Sequence, residues 1–168
     1  MNKSKCNIKK ATKKDLNFIF NNVLSFYREN PNEIMLISKS RLKKAVGNLF
    51  KNRDNSYYLI MFDNKRVGFI QTMQTNKDIL EIILIYLKPQ YRRKGLGTQA
   101  LNRITQNSRH AVIKTEVNNT NRPSQKFFTK LNFKKHSIIY NLKNNLLAQP
   151  LRKVNRFLVP YIKSFLSS

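Results

Sequence analysis

Residues 87–98 read LKPQYRRKGLGT and join an apolar strand to an amphipathic helix. The strand, Ile79 to Leu87, is rich in Ile and Leu, and a proline two residues later ends it. After the turn, apolar side chains recur at a helical spacing. Glycine lets a chain approach an anion closely, and the first turn of a helix presents unpaired N–H groups where its dipole favours negative charge. The stretch therefore predicts a phosphate-binding turn, to which Arg92, Arg93 and Lys94 add positive charge.

Further motifs stand on both sides of this turn. The turn has the spacing Arg-x-x-Gly-x-Gly, and the strand before it runs into Leu-x-Pro. Downstream, the pattern Val-x-x-x-Asn-x-x-Ser-x-x-x-Phe-x-x-Leu-x-Phe extends from Val117 to Phe133, and upstream Lys-Ala-Thr-x-x-Asp-Leu begins at Lys10. In this order, the motifs resemble those of the GNAT superfamily of acyl-CoA-dependent N-acyltransferases, and the resemblance covers residues 9–142.

The resemblance implies an α/β (α+β) fold in which helices flank a mixed, mostly antiparallel sheet with one splayed strand pair. Periodicity and turn residues predict strands at 7–11, 56–62, 66–74, 79–87, 111–117 and 133–142. Helices are predicted at 13–27, 40–50, 97–108 and 123–131. Residues 1–142 are therefore interpreted as a single GNAT acetyltransferase domain.

A basic extension, residues 143–168, follows this domain. Its apolar residues recur at steps of three and four, at Leu147, Leu151, Val154, Leu158, Tyr161 and Phe165. Four basic residues lie beside them, and this predicts an amphipathic helix, kinked or restarted at Pro160. The helix is interpreted as packing on the domain or on a second subunit in a homodimer. The alternative is binding to an anionic membrane surface.

Composition narrows the partners and the compartment. The 168 residues include 33 Lys and Arg against 8 Asp and Glu, for a net charge of +25. An AT-rich genome would account for part of the lysine, but the resulting field favours polyanions such as nucleic acid or ribonucleoprotein and disfavours cationic small substrates. One cysteine and the lack of a signal peptide or spanning segment predict a cytoplasmic protein. The two histidines lack partners at metal-ligand spacing, so no metal is predicted.

The resemblance also implies which residues hold acetyl-CoA, the expected cosubstrate. Backbone groups of the strand end hold the pantetheine and polarise the thioester carbonyl, at Ile85, Tyr86 and Leu87. The turn and helix start hold the pyrophosphate, at Arg92, Arg93, Lys94, Gly95, Leu96, Gly97 and Thr98. Asn121 matches the asparagine that orders the loop beside CoA, although it could equally be a simple turn or cap residue.

Glu81 is the leading candidate for the catalytic base. It interrupts an apolar strand fourteen positions before Gly95, a spacing that resembles that of the general-base glutamate in histone-lysine acetyltransferases of this superfamily. Burial among isoleucines would raise its pKa and make it a better base. The alternative is a carboxylate paired with a lysine or arginine at the sheet surface. Glu116 is the second candidate for the base.

The expected general acid is missing from the sequence. Many GNAT enzymes have a tyrosine that protonates the departing CoA thiolate. Phe128 occupies its position here and is counted among the residues expected to line the coenzyme site. Water, Ser124 or Tyr86 could replace it, or the thiolate could leave unprotonated, because a thiol pKa of about 8.5 makes it a tolerable leaving group.

Three functions are consistent with these observations. The first is an N-acetyltransferase that uses acetyl-CoA and a primary amine in or near an acidic partner, such as a protein or an aminoacyl-tRNA. The second is a nucleic-acid-binding or regulatory module on a GNAT scaffold, indicated by the charge and by Phe128. The third is a membrane-peripheral acyltransferase, which rests on residues 143–168.

Overall fold

A computed structural model describes residues 6–30, 38–118 and 120–135. The strands are β1 (Cys6–Lys10), β2 (Asn55–Phe62), β3 (Lys65–Gln74), β4 (Ile79–Leu87) and β5 (Val112–Thr115). The helices are α1 (Leu16–Glu29), α2 (Lys39–Lys51), α3 (Leu96–Gln106) and α4 (Arg122–Lys130), with single 3-10 turns at Lys13–Asp15 and Pro89–Tyr91. The strands form one sheet in chain order, antiparallel from β1 to β4 and parallel between β4 and β5. This confirms the predicted mixed fold.

The sheet separates two apolar layers, because side chains alternate between its faces. One layer contains side chains of α3 and α4 against strand residues such as Ile70 and Ile82. The other contains side chains of α1 and α2 against Phe69 and Tyr86. β4 contributes side chains to both layers, and the predicted turn follows directly after its end.

The strands β4 and β5 separate part-way along their length. Their pairing runs from Ile79 opposite Val112 to Ile82 opposite Thr115, whereas β4 continues to Leu87. The register between β3 and β4 also changes here, since Gln71 faces Leu84 but Thr72 faces Ile82. One extra residue in a strand increases its twist and turns it away from its neighbour. The predicted splayed pair is thus present, with a bulge at the point of separation.

Several predicted boundaries require correction. β5 ends at Thr115 rather than at residue 117, because β4 has turned away and offers no further pairing. α3 ends at Gln106 rather than 108, and the first turn predicted for α1 is the 3-10 turn. Residues 133–135 are not in a strand. The rest of the predicted strand at 133–142 and the whole extension at 143–168 lie outside the described residues.

Candidate active site

The turn after β4, residues 92–98, has the backbone of an anion site, and we call it the donor turn. Arg93 and Gly95 adopt left-handed conformations, with φ of 61° and 72°, and α3 begins directly afterwards. The first bond of this helix runs from the Gln99 N–H to the Gly95 carbonyl (3.0 Å), so the N–H groups before it have no acceptor within the helix. A Cβ on Gly97 would lie 3.4 Å from Phe127 and 3.5 Å from Leu87. These are ordinary van der Waals distances, and they place Gly97 against β4 and α4.

The Arg92 side chain is partly exposed and contacts α1 and the end of β4. Its Nε donates to the Leu87 carbonyl (2.8 Å), and its Nη2 donates to Glu29 Oε2 (2.5 Å). The guanidinium lies 5.3 Å from the centroid of the Tyr86 ring, and the Tyr86 hydroxyl donates to Glu29 Oε1 (2.8 Å). Arg93 and Lys94 are exposed, and Lys94 Nζ lies 5.7 Å from the Tyr91 ring centroid. Of the three cations predicted to face a phosphate, Arg92 therefore has its side chain committed elsewhere.

The strand end divides its side chains between the two layers. Ile85 and Leu87 pack in the α3 layer, while Tyr86 is buried in the α1 layer. Burial and the hydrogen bond to Glu29 raise the pKa of the Tyr86 hydroxyl. The Thr115 hydroxyl donates to the Ile82 carbonyl (2.9 Å), which ties β5 to β4 at the last pair of the register. Past this tie, β4 borders the gap between the strands.

Glu81 is buried in the paired part of β4, two residues before the bulge. Only 2% of the residue is exposed, and its neighbour Ile82 belongs to the α3 layer, so Glu81 faces the α1 and α2 side. Its Oε2 accepts from the Thr75 hydroxyl (3.4 Å) and lies 3.5 Å from Lys114 Nζ. Its Oε1 is buried and lacks a hydrogen-bond partner within the described part of the chain. Glu81 is thus both buried and ion-paired, which combines the two interpretations drawn from the sequence.

Burial and charge act on Glu81 in opposite directions. Desolvation raises the pKa of its carboxyl group above the ordinary value, and the Lys114 ammonium opposes this rise. Glu116, the second candidate base, is exposed and adds a like charge that also raises the Glu81 pKa. A raised pKa brings a carboxylate closer to the range in which it can accept a proton from an amine.

Asn121 and Phe128 have clear structural roles in and around α4. Asn121 caps the helix, because its Oδ1 accepts from the Ser124 N–H (3.2 Å). Phe128 is buried in the α3 layer, with its ring centroid 5.1 Å from that of Phe127 and 5.2 Å from that of Phe133. The residue in the position of the family's tyrosine is therefore a core residue here.

A basic groove lies on the α1 side of the sheet. Arg66 and Lys88 each lie 5.1 Å from the centroid of the Phe18 ring, and Arg66 pairs with Asp15 (3.2 Å). We define the basic groove by its four cations, which come from two strands and the residue after β4: Lys9, Lys65, Arg66 and Lys88. The cavity between them measures about 550 Å³.

Sequence reasoning missed Glu29, Thr75 and Lys114. Glu29 contacts residues 57 and 63 positions away, and no local pattern marks such a pairing. Lys114 faces Glu81 only through the parallel register of β4 and β5.

Within the described ranges, no three His, Cys, Asp or Glu residues are grouped as metal ligands. No helix of these ranges has both the length and the apolar character needed to cross a membrane.

Comparison with known proteins settles the family. The model of the acetyltransferase (GNAT) family matches residues 20–133, which include β2 to β5, the donor turn and α4. The chain belongs to the GNAT acetyltransferase family. The resemblance drawn from the turn and its flanking motifs is thereby confirmed, and the protein carries an acetyltransferase domain.

Solved GNAT structures share the fold at low sequence identity. A possible acetyltransferase from Clostridium difficile 630 is 21% identical, with a TM-score of 0.67 over 86% of this chain and 99% of its own. The aminoglycoside N-acetyltransferase AAC(6')-Iy in complex with CoA is 14% identical (TM-score 0.67, 85% and 97% of the chains), and PaiA N-acetyltransferase from Thermoplasma acidophilum in complex with coenzyme A is 19% identical (0.62, 80% and 93%). No curated protein matches the sequence.

Proposed function

We propose that this GNAT protein transfers an acetyl group from acetyl-CoA to a primary amine by direct attack, with Glu81 as the general base. The observation that carries the proposal is the buried Glu81 carboxylate, which has one oxygen without a partner in the described chain and lies two residues before the β4 bulge. An unpaired buried acceptor is costly for the fold, so its presence beside the strand gap is best explained by a catalytic use.

The donor turn supplies the second part of the proposal. The N–H groups from Arg93 to Thr98 would hold the CoA pyrophosphate, and the end of β4 at residues 85–87 would hold the pantetheine. Two similar folds contain bound CoA, which supports the same ligand here. Asn121 would order the loop beside the coenzyme through its cap on α4.

The chemistry needs one base and tolerates the absence of the family's acid. The amine nitrogen attacks the thioester carbonyl carbon, and a backbone N–H of β4 stabilises the charge that develops on the carbonyl oxygen. Glu81 accepts the proton that the amine loses, and the carbon–sulfur bond then breaks. Phe128 cannot donate a proton, and the proton of the Tyr86 hydroxyl is already donated to Glu29. CoA would then leave as the thiolate, which its pKa of about 8.5 permits, or take its proton from water or Ser124.

The acceptor is proposed from charge. Similar folds include enzymes named for aminoglycosides, which carry several amines. The net charge of +25 repels free polycations, so an amine presented on an anionic partner, such as a nucleoprotein or an aminoacyl-tRNA, is the better candidate. A cytoplasmic location is part of this proposal and is supported by the single cysteine.

A CoA-thiol release assay tests the proposal. Several acyl-CoAs would be combined with basic and acidic peptides, aminoglycosides, polyamines and aminoacyl-tRNA. We expect thiol release with acetyl-CoA that depends on one acceptor class and falls in Glu81→Gln. Release that never exceeds the rate without protein, for any pair in the panel, would contradict the proposal.

The basic groove favours nucleic-acid binding as a second candidate function. Its four cations face one cavity beside an aromatic ring, and Arg66 neutralises the nearest carboxylate, Asp15. Replacing Lys9, Lys65 and Lys88 by Gln should weaken RNA binding and reduce its dependence on salt, by about 0.7 in log–log slope for each single-strand phosphate that the protein no longer neutralises. A triple replacement at Lys43, Lys44 and Lys51 of α2 removes the same charge elsewhere and serves as the control. Equal effects of the two triple variants would contradict a defined site.

A further inference from the structure

Glu29, Tyr86 and Arg92 each contact the other two, and we call these three residues the Glu29 clamp. Both Glu29 oxygens are used, one by the Tyr86 hydroxyl (2.8 Å) and one by Arg92 Nη2 (2.5 Å). Arg92 also donates to the Leu87 carbonyl (2.8 Å) and covers the Tyr86 ring. The clamp thus joins the last residue of α1 to the last residues of β4 and to the first residue after the 3-10 turn.

The Glu29 clamp adjoins the strained part of the donor turn. Arg93 is a non-glycine residue at a φ of 61°, and Gly95 at 72° starts α3. A left-handed conformation costs a non-glycine residue free energy, so it persists only where the surrounding structure holds it. Arg92 is the neighbour of Arg93 and is held at three points by other elements. The clamp is therefore one contact that can hold this conformation of the turn.

We propose that Arg92 is a positioning residue, gripped by Glu29, that fixes the donor turn rather than contacting a coenzyme phosphate itself. Through it, the C-terminus of α1 and the donor turn are mechanically coupled. The coenzyme part of this inference rests on the proposed acetyltransferase function, whereas the effect of the clamp on the turn does not.

If Arg92 instead contacted a coenzyme phosphate, the change in CoA affinity of Glu29→Gln would have the opposite sign. If Arg92 attracted phosphate by its charge, Glu29 would compete for it, and Glu29→Gln would free the guanidinium and tighten CoA binding. If Arg92 acts through the clamp, Glu29→Gln loosens the turn and weakens CoA binding, although a negative charge has been removed from a site that binds an anion.

Calorimetric titration of the full chain with CoA distinguishes the two roles. We expect Glu29→Gln to weaken binding by about three- to tenfold, as for the loss of a partly exposed charge-assisted hydrogen bond. Arg92→Lys keeps the charge but not the guanidinium fork, and it should weaken binding similarly. The double variant should be no weaker than Arg92→Lys alone, because both changes break one interaction. In steady-state kinetics, the KM for acetyl-CoA should rise while kcat changes little.

Asp63→Asn provides the control. Asp63 is exposed in the turn between β2 and β3, and its φ of 48° is one that Asn also adopts. The substitution removes one negative charge, as Glu29→Gln does. Its CoA affinity should equal that of the wild-type protein or exceed it slightly. A Glu29→Gln variant that binds CoA as tightly as Asp63→Asn, or more tightly, would overturn the proposal.

Hydrogen exchange on the ligand-free protein separates failure of the clamp from failure of the proposed function. We expect the Gln99 amide, whose hydrogen bond to the Gly95 carbonyl depends on the conformation of the turn, to exchange faster in Glu29→Gln and Arg92→Lys than in Asp63→Asn. If the wild-type protein binds no CoA, the acetyltransferase proposal fails, and faster exchange in the two clamp variants still supports the clamp. Unchanged exchange in both variants overturns it.

Discussion

Two glutamates of this protein, Glu29 and Glu81, have opposite surroundings. Glu29 has a side chain that is 33% exposed, and each of its oxygens accepts one short hydrogen bond. Glu81 is 2% exposed, holds its two partners at 3.4 and 3.5 Å, and leaves Oε1 unpaired within the described ranges. The Glu29 carboxylate therefore joins separate elements, whereas the Glu81 carboxylate keeps one buried acceptor unused within the described chain. This difference is the basis for the positioning role proposed for Glu29 and the catalytic role proposed for Glu81.

The largest expected effect comes from removing the proposed base. Glu81→Gln should lower kcat by about 10²- to 10⁴-fold, because general-base catalysis contributes that much. Glu29→Gln should affect mainly the KM for acetyl-CoA, and Asp63→Asn should match the wild-type protein. Steady-state thiol release with the best acceptor of the panel measures all three. A large loss of kcat in Glu116→Gln, with Glu81→Gln active, would assign the base to Glu116 instead.

The next effect is a shift in the pH dependence of the rate. Lys114 lowers the raised pKa of Glu81, so Lys114→Met removes this opposition and the Glu81 pKa should rise further. The base is then protonated up to a higher pH, and the acidic limb of kcat/KM should move upward. Lys126→Met, on α4, removes an equal charge elsewhere as the control. If the acidic limb moves to lower pH, or does not move relative to the control, it does not report the titration of Glu81.

The smallest effect distinguishes the two glutamates by stability. Glu81→Gln should increase the free energy of unfolding by about 1 kcal/mol at neutral pH, because an unsatisfied buried carboxylate is removed. The pKa of Glu81 is raised in the folded state, so charging it destabilises the fold as the pH rises above its unfolded value, and the gain should vanish at acidic pH. Glu29→Gln should instead lose stability. Urea unfolding at several pH values measures both, and a loss in Glu81→Gln at neutral pH would contradict this account.

Local sequence patterns were sufficient to predict the elements that form the donor turn. The apolar strand, the Arg-x-x-Gly-x-Gly turn and the helical period are all short-range signals, and they predict β4, the turn and α3. Glu81 could also be singled out from the sequence, because it is a single charged residue in an apolar strand.

Long-range geometry accounts for what the sequence could not provide. The direction of the Arg92 side chain depends on Glu29, 63 residues away, and the partner of Glu81 depends on the register with β5. No sequence pattern indicated that Gly68 must be glycine, although a Cβ there would collide with the Tyr86 carbonyl oxygen and would push β3 from β4. Each of these features arises from the approach of separate strands or helices, which no local pattern encodes.

The most direct test of the central claim is the pH–rate profile of kcat/KM for the wild-type protein and Glu81→Gln, measured in parallel. We predict an acidic limb in the wild-type protein at a pH above the ordinary range of a glutamate, and its loss, together with most of the activity, in Glu81→Gln. Wild-type turnover with an unchanged acidic limb in Glu81→Gln would contradict the assignment of Glu81 as the base.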